Sequence, residues 1–293
     1  MALARSGGVS EAVTAGVILS GIYFGDRGAP TSSCASLVAA LTETDLYGNV
    51  RRMFQTAALP YALCLIAYTV LSFRNPIVTV DETMLGALAE SFVISPWALV
   101  PALIMLILPL LRVPIRLSLI HITVTVQGGS VADALRIMVV GYHPTEGLLA
   151  SVVSGGGLVS MLTPFLMIPL AALYTGILEG TGALTQAQSV LERSAERIGR
   201  FPTMILLSLL AAMVLCNQTI VVMMEHQLIG AVYAKDGAEH EELAMDIANS
   251  GVTIAGLIPW CIACAVPLSM LGVGVEALPY ACLLYLIPLC YLF

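Results

Sequence analysis

Apolar residues in this chain come in long runs separated by short polar stretches. The runs cover Gly8–Phe24, Gln55–Phe73, Phe92–Leu111, Leu148–Leu178, Pro202–Met224, Ile254–Leu271 and Ala277–Phe293. Most approach the ~20 residues that a helix needs to cross a bilayer. A shorter run, Leu117–Val126, contains His121 and stands at the low end for spanning. The period-two alternation of a membrane β-barrel is absent. The pattern therefore predicts an all-α, polytopic helical membrane protein with about seven or eight transmembrane spans. Several runs are interrupted, which predicts broken or re-entrant helices. Pro60 interrupts the second run. Ser154-Gly155-Gly156-Gly157, Pro164 and Pro169 interrupt the fourth, and Asn217-Gln218-Thr219 lies deep in the fifth. Ser250–Thr253 and Pro259-Trp260 mark another break.

The polar stretches are less uniform. Residues 25–53 are polar at the start, weakly apolar in the middle and basic at the end. Gly128–Thr145 reads as an interfacial helix with Asp133 and Arg136, and TQAQSVLERSAERIGR as a solvated amphipathic one. Glu225-His226 is expected to face water past the end of its span, and Ala234–Asp246 to form an exposed acidic segment.

Composition narrows the class. Of 293 residues, 58% are hydrophobic and 11% charged, with 12 Lys+Arg against 19 Asp+Glu. Mean hydropathy is +0.93. So few charges cannot clothe a soluble domain of this size. A soluble enzyme, a disordered chain, a collagen and a nucleic-acid binder are excluded, and lipid is the main solvent. No run suits a separate soluble domain, so residues 1–293 form a single membrane domain. The first span lacks a basic leader and a cleavage site, which separates it from a signal peptide. Placing residues 25–53, 112–116 and 179–201 on one side gathers eight of the 12 basic residues there. By the positive-inside rule that side is cytoplasmic, with residues 234–246 expected opposite. The seven cysteines lie in or beside apolar runs; Cys261 and Cys264, a C-x-x-C on one helix face, read as small-residue packing rather than metal or redox chemistry.

A faint internal repeat is visible. An apolar helix ends at Gly25-Asp26, and a helix with Pro60 follows after a polar spacer. Another reaches Asn217-Gln218, and a helix with Pro259 follows after a similar spacer. Interrupted helices at matching positions of two repeats point to a midplane transport site. On this reading residues 1–75 are the end of a first repeat, 76–127 connecting spans and 128–293 a second repeat. The partner of the SGGG segment would lie before Met1.

Polar groups at such breaks are the candidates for chemistry, because they are costly in hydrocarbon. Asp26 closes a span and is flanked by Gly25, Arg27 and Pro30, with Thr31, Ser32, Ser33 and Ser36 following. A carboxylate, freed carbonyls and hydroxyls suit a hard cation such as Na⁺. They equally suit an interfacial cap or a pairing with Arg27. Ser154, Gly155 and Gly156 fit either a ligand contact by backbone groups or a close helix crossing. Asn217, Gln218 and Thr219 fit either a cation or substrate contact or interhelical hydrogen bonding. Ser250 and Thr253 stand at a third break that also reads as an interfacial cap. Glu179 reads as a second proton carrier beside Asp26, or as a marker of the water interface. No H-E-x-x-H, no G-x-S-x-G with a positioned His and no paired intramembrane aspartates suggest an enzyme, and nothing calls for a cofactor or a bound metal beyond a transported ion.

Four blocks carry a resemblance: SGIYFGDRGAPTSSCASLVAALTETDLYGNVRRM; SGGGLVSMLTPFLMIPLAALYTGILEGTG; CNQTIVVMMEHQL; and NSGVTIAGLIPWCIACAVPLSMLGV with LPYACLLYLIPL. Together, and in this order, they resemble the Na⁺/H⁺ antiporter NhaC family over nearly the whole chain. The resemblance implies an inverted-repeat, multi-pass transporter of the cytoplasmic membrane that exchanges Na⁺ for H⁺ without a cofactor. Its partners are the bilayer and those two ions. Some members exchange organic acids instead. Asp26, Ser32 and Ser33 fall in the first signature, and Ser154–Gly157 and Glu179 in the second. Asn217, Asn249 and Cys261 stand where the family commonly has an acid, an Asp and an Asn. Members also carry an earlier N-terminal part, so the chain is expected to be about two-thirds of a transporter, completed by a missing N-terminal half or a homodimer partner. The alternatives are an organic-acid or amino-acid exchanger, and a non-transporting, partner-dependent membrane fragment.

Overall fold

A computed structural model describes residues 7–30, 32–76, 131–141, 157–160 and 183–292, with a few isolated positions besides. The chain divides into two compact units, one of residues 1–9 and 77–165, the other of residues 10–76 and 166–293. All regular structure among the described residues is helical. The predicted spans at 92–111 and 117–126 lie outside the described residues. So do Ser154, Gly155, Gly156 and Glu179.

The larger unit opens with α1 (Glu11–Gly28), α2 (Ser33–Leu41) and α3 (Leu46–Arg74). The smaller unit contributes α4 (Val131–Val140) and α5 (Gly157–Ser160). The larger resumes with α6 (Ala183–Ile198), α7 (Arg200–Leu215), α8 (Gln218–Lys235), α9 (His240–Asn249) and α10 (Gly251–Ile254). A 3-10 turn at Ala255–Leu257 leads to α11 (Ile262–Leu271). A second 3-10 turn at Val275–Tyr280 leads to α12 (Cys282–Leu292). α4 falls within the stretch expected to be an interfacial helix, and α6 covers most of the amphipathic one.

Local chemistry starts these helices. The Ser10 hydroxyl accepts from Val13 N–H at 3.4 Å, with Glu11 in the first turn of α1 and Arg27 in the last, as the helix dipole favours. Ser32 caps α2, and Asp45 caps α3 by accepting from Gly48 N–H at 2.7 Å. Pro60 is buried inside α3 without ending it.

Side-chain contacts trace the path of the chain. α1 and α3 run antiparallel: the Ser20 and Tyr68 hydroxyls meet at 2.6 Å, the Phe24 and Tyr61 rings at 5.3 Å, and Arg27 Nη1 donates to the Met53 carbonyl at 3.1 Å. α2 ends at Thr42, whose carbonyl accepts from His240 Nδ1 at 2.9 Å. α7 and α8 form a hairpin. Arg200 lies over the Tyr233 ring at 4.8 Å, and Ser208 donates to Glu225. The hairpin turns at Cys216, whose backbone is left-handed with φ 55°. α9 leaves from beside the open end of that hairpin, where Arg200 and Glu242 form an ion pair. The segment His240–Leu257 then bends by 52° into α11. α12 starts at the Tyr68 hydroxyl, which accepts from Cys282 N–H at 3.1 Å, and ends where the Tyr291 ring meets Phe201 at 4.7 Å.

This path corrects three expectations. Residues 202–224 are not one span: the helix stops at Leu215, and α8 returns along it. The polar Asn217-Gln218 pair supplies the turn. Residues 254–271 are not one straight helix either, because the backbone leaves helical geometry at Ile258. Residues 193–200 and 234–246 are not on opposite sides, since the Arg200–Glu242 pair joins them.

The unit is apolar outside as well as inside. α3 exposes Leu59, Leu65, Ile66, Val70 and Phe73, and α7 exposes Leu206, Leu210 and Val214. Hydrocarbon suits such a surface and water does not. Among the described residues, α3 alone is long and apolar enough to cross a membrane unbroken; the bent 240–271 pair is a second crossing if counted as one. The hairpin geometry predicts that Arg197→Cys and Glu239→Cys react with a membrane-impermeant maleimide from the same side of intact cells. Labelling from opposite sides would contradict it.

Candidate functional site

Three interruptions meet inside the larger unit: the end of α1 with the start of α2, the tip of the α7–α8 hairpin, and the break after α9. Backbone and ring groups stitch them together. Ile262 N–H donates to the Cys216 carbonyl at 2.9 Å, Trp260 Nε1 to the Met213 carbonyl at 2.8 Å, and the Tyr23 hydroxyl to the Ala263 carbonyl at 2.8 Å.

Asp26 sits at this junction, half-buried, in the last turn of α1. Its Oδ1 accepts from Ser32 Oγ at 2.7 Å, and its Oδ2 from Gln218 Nε2 at 2.9 Å. The same Gln218 nitrogen donates to the Val252 carbonyl at 2.9 Å. Ser32 Oγ also accepts from Cys34 N–H at 3.0 Å and Ala35 N–H at 3.2 Å, which caps α2 and fixes the hydroxyl. A carboxylate, a hydroxyl, a side-chain amide and a main-chain carbonyl from three separate segments thus share one spot. A half-turn of the Gln218 amide would present only oxygen atoms there, the donor set a hard cation takes.

The other predicted residues play different parts. Asn217 caps α8, its Oδ1 accepting from Thr219 N–H at 3.0 Å and Ile220 N–H at 3.4 Å. Ser33 and Thr219 are exposed. Ser250 and Thr253 are fully buried, but their hydroxyls turn back on their own helix. Ser250 Oγ donates to the Asp246 carbonyl at 2.6 Å, and Thr253 Oγ1 to the Asn249 carbonyl at 3.1 Å.

Charged residues outside the predicted set also line the junction. Arg27 is 2% exposed. Its guanidinium donates to the Met53 carbonyl, to Thr56 Oγ1 at 2.6 Å and to Asn249 Oδ1, tying α1 to α3 and to the end of α9. Glu225, expected in water, is fully buried. It accepts from the Ser208 hydroxyl and lies against Gly251. Asp246, expected in an exposed segment, is buried and accepts from the Tyr233 hydroxyl. The hairpin explains both corrections. Once α8 folds back on α7, the face carrying Gln218 and Glu225, two turns apart, points inward. Glu242, Asp246 and Asn249 share one face of α9 at spacings of four and three, with Glu242 at the rim and Asn249 inside. That spacing was the signal available in the sequence.

Among the described residues, polar groups thus gather at helix breaks beneath an apolar outer surface. Residues 21–293 match the Na⁺/H⁺ antiporter family, and the chain belongs to it. Membership implies a multi-pass protein of the cell membrane. The chain is similar to the malate-2H⁺/Na⁺-lactate antiporter of Bacillus subtilis, with 25% identity over 89% of this chain and 58% of the relative. It is similar to the Na⁺/H⁺ antiporter NhaC of Alkalihalophilus pseudofirmus, with 25% identity over 98% and 65%. It is also similar to the arginine/ornithine antiporter ArcD of Halobacterium salinarum, with 27% identity over 93% and 60%. The chain thus spans 58% to 65% of the length of these relatives. No solved structure matches it.

The tightness of the junction can be tested at a glycine. A Cβ on Gly251 would lie 2.2 Å from Glu225 Oε2, whereas a Cβ on Gly230 of the same hairpin has nothing closer than 3.8 Å. Gly251→Ala should destabilise by about 1–3 kcal/mol through overpacking. Gly230→Ala should be neutral or stabilising by about 0.4–1 kcal/mol. Thermal unfolding of the two variants in detergent compares them; equal midpoints would refute the close approach.

Proposed function

We propose that this chain works as a secondary antiporter in the cell membrane, exchanging a monovalent cation, Na⁺, for protons at Asp26. The observation that carries the reading is the convergence of Asp26, Ser32, Gln218 and the Val252 carbonyl at helix breaks. Each part has a physical role in it. The breaks supply main-chain oxygen where a regular helix would have none to spare. Asp26 supplies the charge that neutralises the ion, which a hydroxyl and amide alone do not. The ionised carboxylate holds Na⁺; a proton on the same group releases it, so the two ions compete. Alternating access follows if the hairpin and the broken helices expose this spot to each side in turn. Arg27 holds the Asp26-bearing end of α1 in register with α9.

Membership of the Na⁺/H⁺ antiporter family supports ion exchange as the class of activity. The relatives named above differ in what they exchange, so the cargo is the point to measure. Everted vesicles containing this chain should show Na⁺-dependent collapse of an imposed ΔpH, and Asp26→Asn should abolish it. Asp26→Asn vesicles that exchange like wild type would remove Asp26 from the mechanism. Wild-type vesicles that respond to malate, lactate or arginine but not to Na⁺ would replace the cation with an organic cargo.

A further inference from the structure

A second carboxyl touches the junction from its closed side. Glu225 has no solvent exposure, and no cation pairs with it among the described residues. One oxygen, Oε1, takes the Ser208 hydroxyl. Oε2 has no hydrogen-bond partner. The carboxyl lies flat against Gly251, where any side chain would collide with both of its oxygens. The next residue, Val252, is the one whose carbonyl accepts from Gln218, which in turn holds Asp26. One dipeptide of the broken helix is therefore in contact with Glu225 at Gly251 and, through Gln218, with Asp26 at the Val252 carbonyl. The titratable group on α2 nearest this region is the buried Cys34 thiol, which packs in one core cluster with Met224 and Val252. α7 presents the neutral Ser208, and the 251–254 turn presents backbone.

We infer that Glu225 is a second transport carboxyl, storing a proton that it gives up when a cation occupies the Asp26 site. The step is the loss of H⁺ from the Glu225 carboxyl to leave a carboxylate, with no other bond made or broken. Neutral, the group fits its closed apolar setting; ionised, it needs the Ser208 donor aimed at it. Gly251, against which the carboxyl lies, belongs to the dipeptide that would shift as Gln218 turned its amide oxygen toward a cation. Occupancy at Asp26 and protonation at Glu225 are thereby linked through residues 251–252.

The inference rests on the cation-exchange reading, and one experiment separates the two. Purified protein in detergent is mixed with NaCl, ²²Na⁺ binding is measured by scintillation proximity, and released protons are followed with a pH dye. Wild type should release protons on binding, as ligand groups that must deprotonate do. Glu225→Gln should still bind ²²Na⁺ but release fewer protons per Na⁺ bound, Asp26 supplying the remainder. Ser208→Ala, which removes one donor to the carboxylate, should move the release curve to higher pH and covers the case in which Glu225→Gln does not fold. Undiminished release from Glu225→Gln, or an unmoved curve for Ser208→Ala, overturns the inference and leaves Asp26 untouched. Wild type that binds no ²²Na⁺ overturns the cation reading and takes this inference with it.

Discussion

A helix that stops in a low-dielectric interior leaves main-chain donors and acceptors without partners, and nothing in hydrocarbon replaces them. The larger unit is arranged around that constraint. It brings three interruptions together among the described residues, so that the unpaired groups of one are met by the others. The Cys216 carbonyl at the hairpin tip takes Ile262 N–H at the start of α11, and the Met213 carbonyl takes the Trp260 indole. The Val252 carbonyl takes the Gln218 amide, and Tyr23 reaches the Ala263 carbonyl. Separated, each break would be an isolated cost; joined, they become a polar centre wrapped by apolar helices.

The scarcity of charge follows from the same constraint. A buried charge must be surrounded by hydrogen-bonding groups or it is too expensive. Arg27 spends its guanidinium on a carbonyl, a hydroxyl and an amide oxygen from two other segments. The Arg200–Glu242 pair stands at the rim, 28% and 41% exposed, where water shares the cost and the pair itself adds little stability. Asp246 is answered by the Tyr233 hydroxyl. Each buried charged group thus crosses between helices, and the same bonds that make it tolerable also fix the helix packing.

How far the sequence discloses this depends on what kind of signal each feature leaves. Helices and their apolar outer surface come from composition and run length, and both are plain in a chain that is 58% hydrophobic. Asp26 and Ser32 stand out because they lie beside Gly and Pro next to an apolar run, and Gln218 because it lies deep inside one. The hairpin is harder to see. A 23-residue apolar run reads as a crossing whether it continues or folds back, and only the Asn217-Gln218 pair hints at a turn. Misplacing that turn also misplaces Glu225 and Asp246, because their positions depend on α8 returning along α7. Arg27 is obscured for another reason. An arginine next to an aspartate at a helix end looks like a local ion pair, yet its true partners lie 26 to 222 residues away.

The two carboxyls that touch the junction differ in a way that composition cannot show. Asp26 is half-buried and rests on groups that can rotate: a serine hydroxyl and a glutamine amide. Glu225 is closed off and rests on one hydroxyl and the bare backbone of Gly251. On the proposed reading, the adaptable oxygens around Asp26 accept either a proton or a metal ion, whereas the cramped setting of Glu225 has room for a proton alone. Two acids held against neighbouring residues of one break would then divide binding from proton storage by geometry. The glycine between them is what allows the approach, since any larger residue at position 251 would push Glu225 away from the segment that carries Val252.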